Sequence, residues 1–466
     1  MDALALVFLI FSATSVIFLR RNWAPIPLLA SCCYMTIGQG VQLGPISLPV
    51  YRIVLAVGLL RVIVRRETIV GGINTIDKLI IAWAGWMVSA SFFHEWKPGS
   101  GPIYASGFVF NITLVYFLTR AWCSDLSALI AMLRVVAWLL VLVAVAMIAE
   151  HVLKKNIFGV FGGGVTESVY VRDGVIRAQG PFAHPILAGT VGAVCFPLML
   201  AIWRRYRISA VIGMATCLTI VFASTSSGPL MSLFMGVFGL LLWLCRSRVG
   251  VIRWAAIGLY VLADILMTRP AYYLISKIDL TGSSTGWHRS RLIESAFEHL
   301  SEWWAFGTDY TAHWMPYTLD GQHSDITNYY LFIGIIGGFP AMLLLIAIMW
   351  RAFVWVGECV GQAPAAIQEQ RFVIWCLGAG LFAHAGTSLS VAYFDQSMMF
   401  FWLNVGLISS MYSIVTMTAA AEKGASGAAT PVVSRPVVAV RRGQRPTPPS
   451  MRAMSPGTSQ HAPSSH

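Results

Sequence analysis

His323 is the residue of this chain best suited to moving a proton. It sits in Gly321-Gln322-His323-Ser324-Asp325, just ahead of an apolar run beginning near residue 327. An imidazole accepts a hydroxyl proton near neutral pH, and Asp325 can orient or charge-stabilise the ring. Two readings fit these residues equally: a general base, or an interfacial histidine beside a polar helix start. Three arginines suit anion binding. Arg289 and Arg291 fall in a helix expected over about 287–302, with Ser283, Ser284 and Thr285 as cap candidates. Two residues apart on a helix they point about 200° from each other. Both face one anion only if the helix starts after Arg289, where the guanidinium adds to the free backbone N–H groups. The alternative is solvation, or pairing with Glu294 or Glu298. Arg177 closes an earlier polar loop in Arg177-Ala178-Gln179-Gly180-Pro181-Phe182-Ala183-His184-Pro185. The Gly-Pro turn and a proline suited to a first helical position hold it near the membrane surface, where it can meet the later loop or act as a simple anchor.

These residues belong to polar loops in a chain that is otherwise lipid-soluble. The stretch from Trp287 to Asn328 places His288, His299, His313 and His323 among Trp287, Trp303, Trp304 and Trp314. Cations bind phosphate and aromatic rings stack on sugar faces, so a lipid-linked phospho-sugar is the first substrate class to consider. Of 466 residues, 57% are hydrophobic and 11% charged, with a mean hydropathy of +0.70. Soluble domains carry roughly 25% charged residues. The chain is expected to be an all-α polytopic membrane protein. The net charge of +12 comes mainly from span ends, as positive-inside topology requires, and no basic face with a nucleic-acid-binding fold is visible.

Apolar runs at 3–19, 24–42, 47–64, 77–93, 103–121, 127–149, 185–203, 208–224, 228–245, 253–268, 327–350, 372–392 and 396–416 suggest about 12–13 transmembrane helices. The run at 24–42, with Pro25, Pro27 and Gln39, is the weakest and suits a re-entrant segment. Residues 3–19 lack a basic start and a cleavage site and end in Arg20-Arg21, so they are expected to be a retained first span. Arg20/Arg21, Arg61/Arg65/Arg66/Lys78, Arg120, Arg204/Arg205/Arg207, Arg246/Arg248/Arg253 and Arg351/Arg371 fall on alternate loops, which are taken as cytoplasmic. The loops at 150–184 and 269–326 then lie outside, the second being long and helical. Residues 1–418 form the transmembrane domain. Residues 419–466, rich in Pro, Ser, Ala and Thr, are expected to be a disordered cytoplasmic tail. His384 and Asp264 suit an interior polar network, Arg61 and Arg134 suit snorkelling, and Asp395 suits a tight outer turn bordering a cavity. No Walker loop, dinucleotide fingerprint, HExxH, CxxC or DxD occurs, so neither a metal nor a cofactor is expected.

Three segments, in order, give the chain a family resemblance. They are Arg177 with Gly180-Pro181-Phe182-Ala183-His184-Pro185, Arg289/Arg291 running through to Trp303-Trp304-Ala305-Phe306-Gly307, and His323 through Tyr329-Tyr330 to Gly334-Ile335-Ile336-Gly337. The chain resembles the superfamily of O-antigen ligases and O-antigen or exopolysaccharide polymerases of bacterial inner membranes, over about residues 170–350. It departs from the family pattern at Ser224-Thr225-Ser226-Ser227-Gly228, which carries no arginine, and at Gly307-Thr308-Asp309 and Ser324.

The resemblance implies a metal-independent glycosyltransferase that moves glycan from undecaprenyl pyrophosphate to an acceptor hydroxyl on the periplasmic face. His323 would be the catalytic residue. Arg177, Arg289 and Arg291 would bind pyrophosphate, with Asp325, Trp303, Trp304 and Tyr310 in support. Polymerisation of O-antigen or exopolysaccharide repeats comes first. A ligase acting on lipid A-core or protein is the alternative, and a lipid-linked oligosaccharide flippase or other transporter is the rival class. The implied partners are the prenyl-linked glycan, an acceptor glycan or lipid, and a polysaccharide chain-length regulator.

Overall fold

The computed structural model describes residues 1–94, 101–277, 286–315, 324–361 and 364–428. His323 lies outside the described residues, as do the cap candidates Ser283, Ser284 and Thr285. The apolar runs fold as helices: Ala3–Phe18 (α1), Pro25–Tyr34 (α2), Val50–Val64 (α3), Thr75–Ala90 (α4), Gly101–Trp122 (α5) and Leu126–Leu153 (α6). Then come Pro185–Ala201 (α7), Arg207–Ala223 (α8), Ser227–Leu241 (α9), Val249–Leu266 (α10), Gly286–Glu298 (α11), Leu300–Trp303 (α12), Tyr329–Gly361 (α13), Arg371–Thr387 (α14) and Met398–Ala428 (α15). Among the described residues the sheet consists of two hairpins, Gly40–Leu43 (β1) with Ile46–Pro49 (β2) and Tyr170–Arg172 (β3) with Val175–Arg177 (β4).

Among the described residues, six helical stretches are long and apolar enough to cross a membrane: Thr75–Phe93, Gly101–Trp122, Leu126–Leu153, Ser227–Leu266, Tyr329–Gly361 and Met398–Lys423. Ala3–Phe18, Pro185–Ala201 and Arg207–Ala223 are apolar but shorter. The distribution of polarity agrees with lipid surroundings. Leu4, Val7, Phe11 and Phe18 on α1 and Trp254, Leu259, Ile265 and Leu266 on α10 are exposed, whereas Arg61, Asp77, Asn111, Arg120, His384 and Asn404 are buried. Water would penalise so much contiguous apolar surface; hydrocarbon does not. This is an all-α membrane protein.

Several expectations need correction. The run at 24–42 does not span: α2 is 10 residues long, with proline in its first turn, and the β1–β2 hairpin follows it. The last helix continues to Ala428, past the expected start of a disordered tail at 419. Residues 429–466 lie outside the described residues. Arg61 does not snorkel: it is buried, pairs with Glu67 at 2.8 Å and donates to the Leu19 carbonyl. Asp264 accepts from the Ala271 N–H and so ties the turn after α10 instead of joining an interior network. His384 is buried against the Tyr393 hydroxyl, 2.8 Å from Nδ1.

One end of the bundle is tied by arginines from the loops expected to be cytoplasmic. Arg21 donates to the Ala121 and Thr68 carbonyls. Arg120, fully buried, pairs with Asp77 at 2.9 Å and donates to the Ser413 hydroxyl and the Gly72 carbonyl. Asp77 caps α4 through a reciprocal box with Asn74 and accepts from the Tyr116 hydroxyl at 2.6 Å. The network therefore joins α4, α5 and α15 where each leaves the apolar layer.

Removing one member of a buried ion pair strands the other. Asp77→Ala is expected to lower unfolding stability by about 3–5 kcal/mol, read by thermal melting in detergent. Asp77→Ala with Arg120→Met is expected to recover most of the loss.

Candidate functional site

The segment from Arg177 to Pro185 has its backbone held almost residue by residue. The β3–β4 hairpin turns at Asp173-Gly174, both at positive φ (52° and 75°), the conformation that Asp-Gly favours in two-residue hairpins. Its register sets Tyr170 opposite Arg177. Beyond the hairpin, Ala178 N–H donates to the Ala223 carbonyl. Gln179 and Gly180 N–H groups donate to the buried Glu150 carboxylate, at 3.1 and 3.0 Å from Oε2, and Asn156 donates to the Gly180 carbonyl. Gln396 donates to the Pro181 carbonyl. Ala183 N–H donates to Asp395 at 2.9 Å. Burial raises the Asp395 carboxyl above its ordinary range. His184 then caps α7, its Nδ1 accepting from Ile186 N–H at 3.1 Å.

A cap formed by α11 and α12 sits on the start of α13. Leu292 and Ala296 of α11 pack with Trp303, Trp314, Leu331 and Ile335. Phe297 is exposed, and the helix expected over 287–302 breaks at His299. Helix α13 kinks at Gly338 (φ 75°), two residues before Pro340. The backbone groups freed by the kink are satisfied from outside: Thr308 N–H donates to the Ile335 carbonyl, Phe339 N–H to the Trp304 carbonyl and the Trp86 indole to the Gly337 carbonyl. A Cβ on Gly338 would lie 2.1 Å from the Ala305 carbonyl oxygen, and one on Gly307 (φ 92°) 2.3 Å from that of Ile335. Both positions therefore require glycine.

Between these two assemblies lies a cavity of about 790 Å³. Its cations are Arg172 and Arg177 from the hairpin and Arg289 from α11; its carboxylates are Asp309 and Asp325. Arg177 and Arg289 are 7% and 8% exposed, and the Nε of each is buried without a hydrogen-bond partner. Arg177 donates to the Ser226 hydroxyl at 2.6 Å and lies over the Tyr170 ring at 5.4 Å. Burial pulls both guanidiniums below the ordinary arginine value, yet no physiological pH deprotonates them. An anion in the cavity would relieve that unmet cost. Ser226 and Ser227, at the start of α9, also line the cavity, and α9 has no side-chain cap, so its first N–H groups stay free for an anion. Thr225 holds the strained φ of 42° and donates to the Ile176 carbonyl, locking this turn to β4.

His184 lines the same cavity. Its pKa falls to about 4 through burial, then through the charges of Arg177 and Arg172. With Nδ1 used as an acceptor, the neutral ring carries its proton on Nε2. It is therefore a donor in this cavity, not a base.

The structure thus brings Arg177, Arg289 and Asp325 to one cavity and leaves other expected site residues outside it. Arg291 shares α11 with Arg289 but turns away, pairing with Glu294 and with Glu298 at 3.2 Å. Trp303 is 2% exposed, packed against Gly334 and donating to the Ala296 carbonyl. It belongs to the core of the cap and offers no ring face to a sugar. Trp304 and Tyr310 are exposed but do not line the cavity. Of the Asp395 turn, Ala392 and Phe394 line it, while Asp395 itself anchors Ala183. His323 is outside the described residues, though its neighbours Ser324 and Asp325 form part of the wall. Sequence reasoning passed over Tyr170, His184 and Ser226. The Asp173-Gly174 pair between β-favouring residues was the available signal for the first.

Neither a family model nor any curated protein matches this chain.

An unfolded histidine titrates near 6.5, while folded His184 stays neutral down to about pH 4. Between these values the unfolded chain binds the extra proton. Its contribution to stability is therefore complete above about pH 6.5 and is lost as the pH falls towards the folded value. Thermal melts in detergent are expected to fall across this window. His184→Asn, which keeps an N-cap acceptor, is expected to flatten the fall, and an unchanged slope would show that His184 is not its source.

Proposed function

We propose that the protein transfers a glycan from a prenyl pyrophosphate to an acceptor hydroxyl, as a polysaccharide polymerase or ligase of the bacterial inner membrane. The observation that carries this reading is the pair of buried, incompletely partnered guanidiniums, Arg177 and Arg289. They reach one cavity from segments more than a hundred residues apart. The uncapped start of α9 adds backbone donors beside them. A pyrophosphate ester is the anion that such a site at the end of an apolar bundle suits, since its prenyl tail can remain in the bilayer.

In the proposed reaction the acceptor oxygen attacks the anomeric carbon. The bond from that carbon to the pyrophosphate oxygen breaks, and prenyl pyrophosphate leaves with the electron pair. Negative charge grows on the leaving group, and the two guanidiniums, the α9 N–H groups and the Nε2 proton of His184 stabilise it. The hydroxyl proton passes to His323, whose neighbours Ser324 and Asp325 already form the cavity wall. The donor carries the driving force of the transfer. The lysine and arginine bias supports reading the basic end of the bundle, opposite the cavity, as cytoplasmic, and so favours the periplasmic face for the reaction.

Arg177→Lys and Arg289→Lys each keep the charge but lose the planar fork. Each is expected to slow transfer by about 100-fold or more, measured with purified protein and a synthetic prenyl-pyrophosphate oligosaccharide. His323→Ala is expected to abolish transfer while leaving the protein folded. A ladder of products marks a polymerase, and a single addition to a separate acceptor marks a ligase. Translocation across vesicles without transfer, or full activity in both arginine variants, would overturn the proposal.

A further inference from the structure

A second group of chemistry-bearing residues lies outside the cavity. His299, Glu302 and His313 bring one ligand atom each within 4.8 Å of the others. His313 Nε2 is 3.0 Å from the Glu302 carboxylate, and the two histidine rings meet edge to face at 4.8 Å. We propose that these three residues bind a divalent transition-metal ion of the zinc class, and that the ion clasps the chain segment forming one wall of the cavity.

The ligand set selects the metal class. Two imidazoles and one carboxylate suit zinc and its neighbours, whereas calcium and magnesium prefer oxygen alone. The His299 tautomer is already set. Its Nδ1 lies 2.9 Å from the Ser295 carbonyl, which can only accept, so Nδ1 carries the proton and Nε2 keeps its lone pair. A backbone acceptor behind a ligating imidazole is the usual second support of such sites. Glu302 is likewise held by the Trp314 indole, 3.1 Å from Oε2. Bonds of about 2.05 Å in a tetrahedron place ligand atoms about 3.3 Å apart. The His313–Glu302 pair is already near that spacing, and the His299 ligand atom lies no more than 4.8 Å from either. Glu302 and His313 are exposed and His299 half-buried, which leaves the fourth position to water.

The chain between the ligands gives the site its consequence. His299 precedes the cap's short helix, Glu302 lies in its first turn, and His313 lies in the turn Ala312–Trp314. Between them run Thr308, Asp309 and Thr311, all lining the cavity. A metal joining both ends would therefore set that wall. HExxH logic misses such a site because its ligands are split between a helix start and a distant turn.

The test uses full-length protein purified without a histidine tag. Cobalt(II) titration is expected to give the visible bands of a tetrahedral site at one ion per chain, and zinc is expected to displace it. His299→Ala, His313→Gln and Glu302→Gln are each expected to weaken binding tenfold or more. Glu302→Gln keeps an acceptor for the indole, and metal-free melts of all variants control for folding. Zinc is also expected to slow amide exchange between residues 303 and 313 in the wild type and not in His299→Ala/His313→Gln. Absent cobalt bands, or binding unaltered in the variants, would mean that His313 and Glu302 form only an ion pair. Binding without slowed exchange would overturn the clasp. Neither readout depends on glycan transfer.

Discussion

The molecule is organised around charge that has been taken out of water without being fully repaid. A buried guanidinium with an idle Nε is costly in any protein, and more so beside hydrocarbon. Arg177 and Arg289 both have this property, and the elements around them keep it from relaxing. The hairpin prevents Arg177 from swinging out, because Tyr170 covers it and Ser226 holds its tip. Helix α11 cannot rotate Arg289 away, because Leu292 and Ala296, one and two turns along the same face, pin it against Trp303 and α13. The cavity therefore keeps two buried cations whose Nε groups lack partners, which is why the proposed ligand is an anion.

The backbone around the site follows the same rule that governs the bundle. Irregular chain at the edge of an apolar layer must satisfy its own peptide groups. Between Arg177 and Pro185 this is done with side chains: Glu150, Asn156, Gln396, Asp395 and His184 each take one or two groups. Glu150, Asn156, Asp395 and Gln396 do not line the cavity, and of these only Glu150 sits in a helix. Their polar character thus supports the arginine's position and needs no chemistry of its own to explain it.

Much of the fold was readable from the sequence, because apolar length and proline placement are local signals. The helices at 75–93, 101–122, 126–153 and 329–361 appear close to their hydropathy runs. The run at 24–42 was the weakest of them, marked by Pro25 and Pro27, and only ten of its residues form a helix. In the site, Arg177 and Arg289 were visible as cations in polar loops; Arg291 was expected to join them and does not, although helix geometry already set the two arginines of α11 about 200° apart. What was hidden depended on tertiary pairing. Trp303 looked like an exposed aromatic platform but fills the space left by Gly334. His184 looked like part of a turn motif but points a donor into the cavity. The serine-rich turn at 224–227 looked like a lost arginine site, and it is the seat on which Arg177 rests.

The kink at Gly338 has a mechanical consequence. Because the cap supplies hydrogen bonds that α13 gave up on bending, neither part can shift alone without stranding peptide groups. The membrane helix and the cap behave as a crank and its handle. Thr308 lines the cavity and holds the Ile335 carbonyl at the bend, so a displacement of that wall would bear directly on the angle of α13.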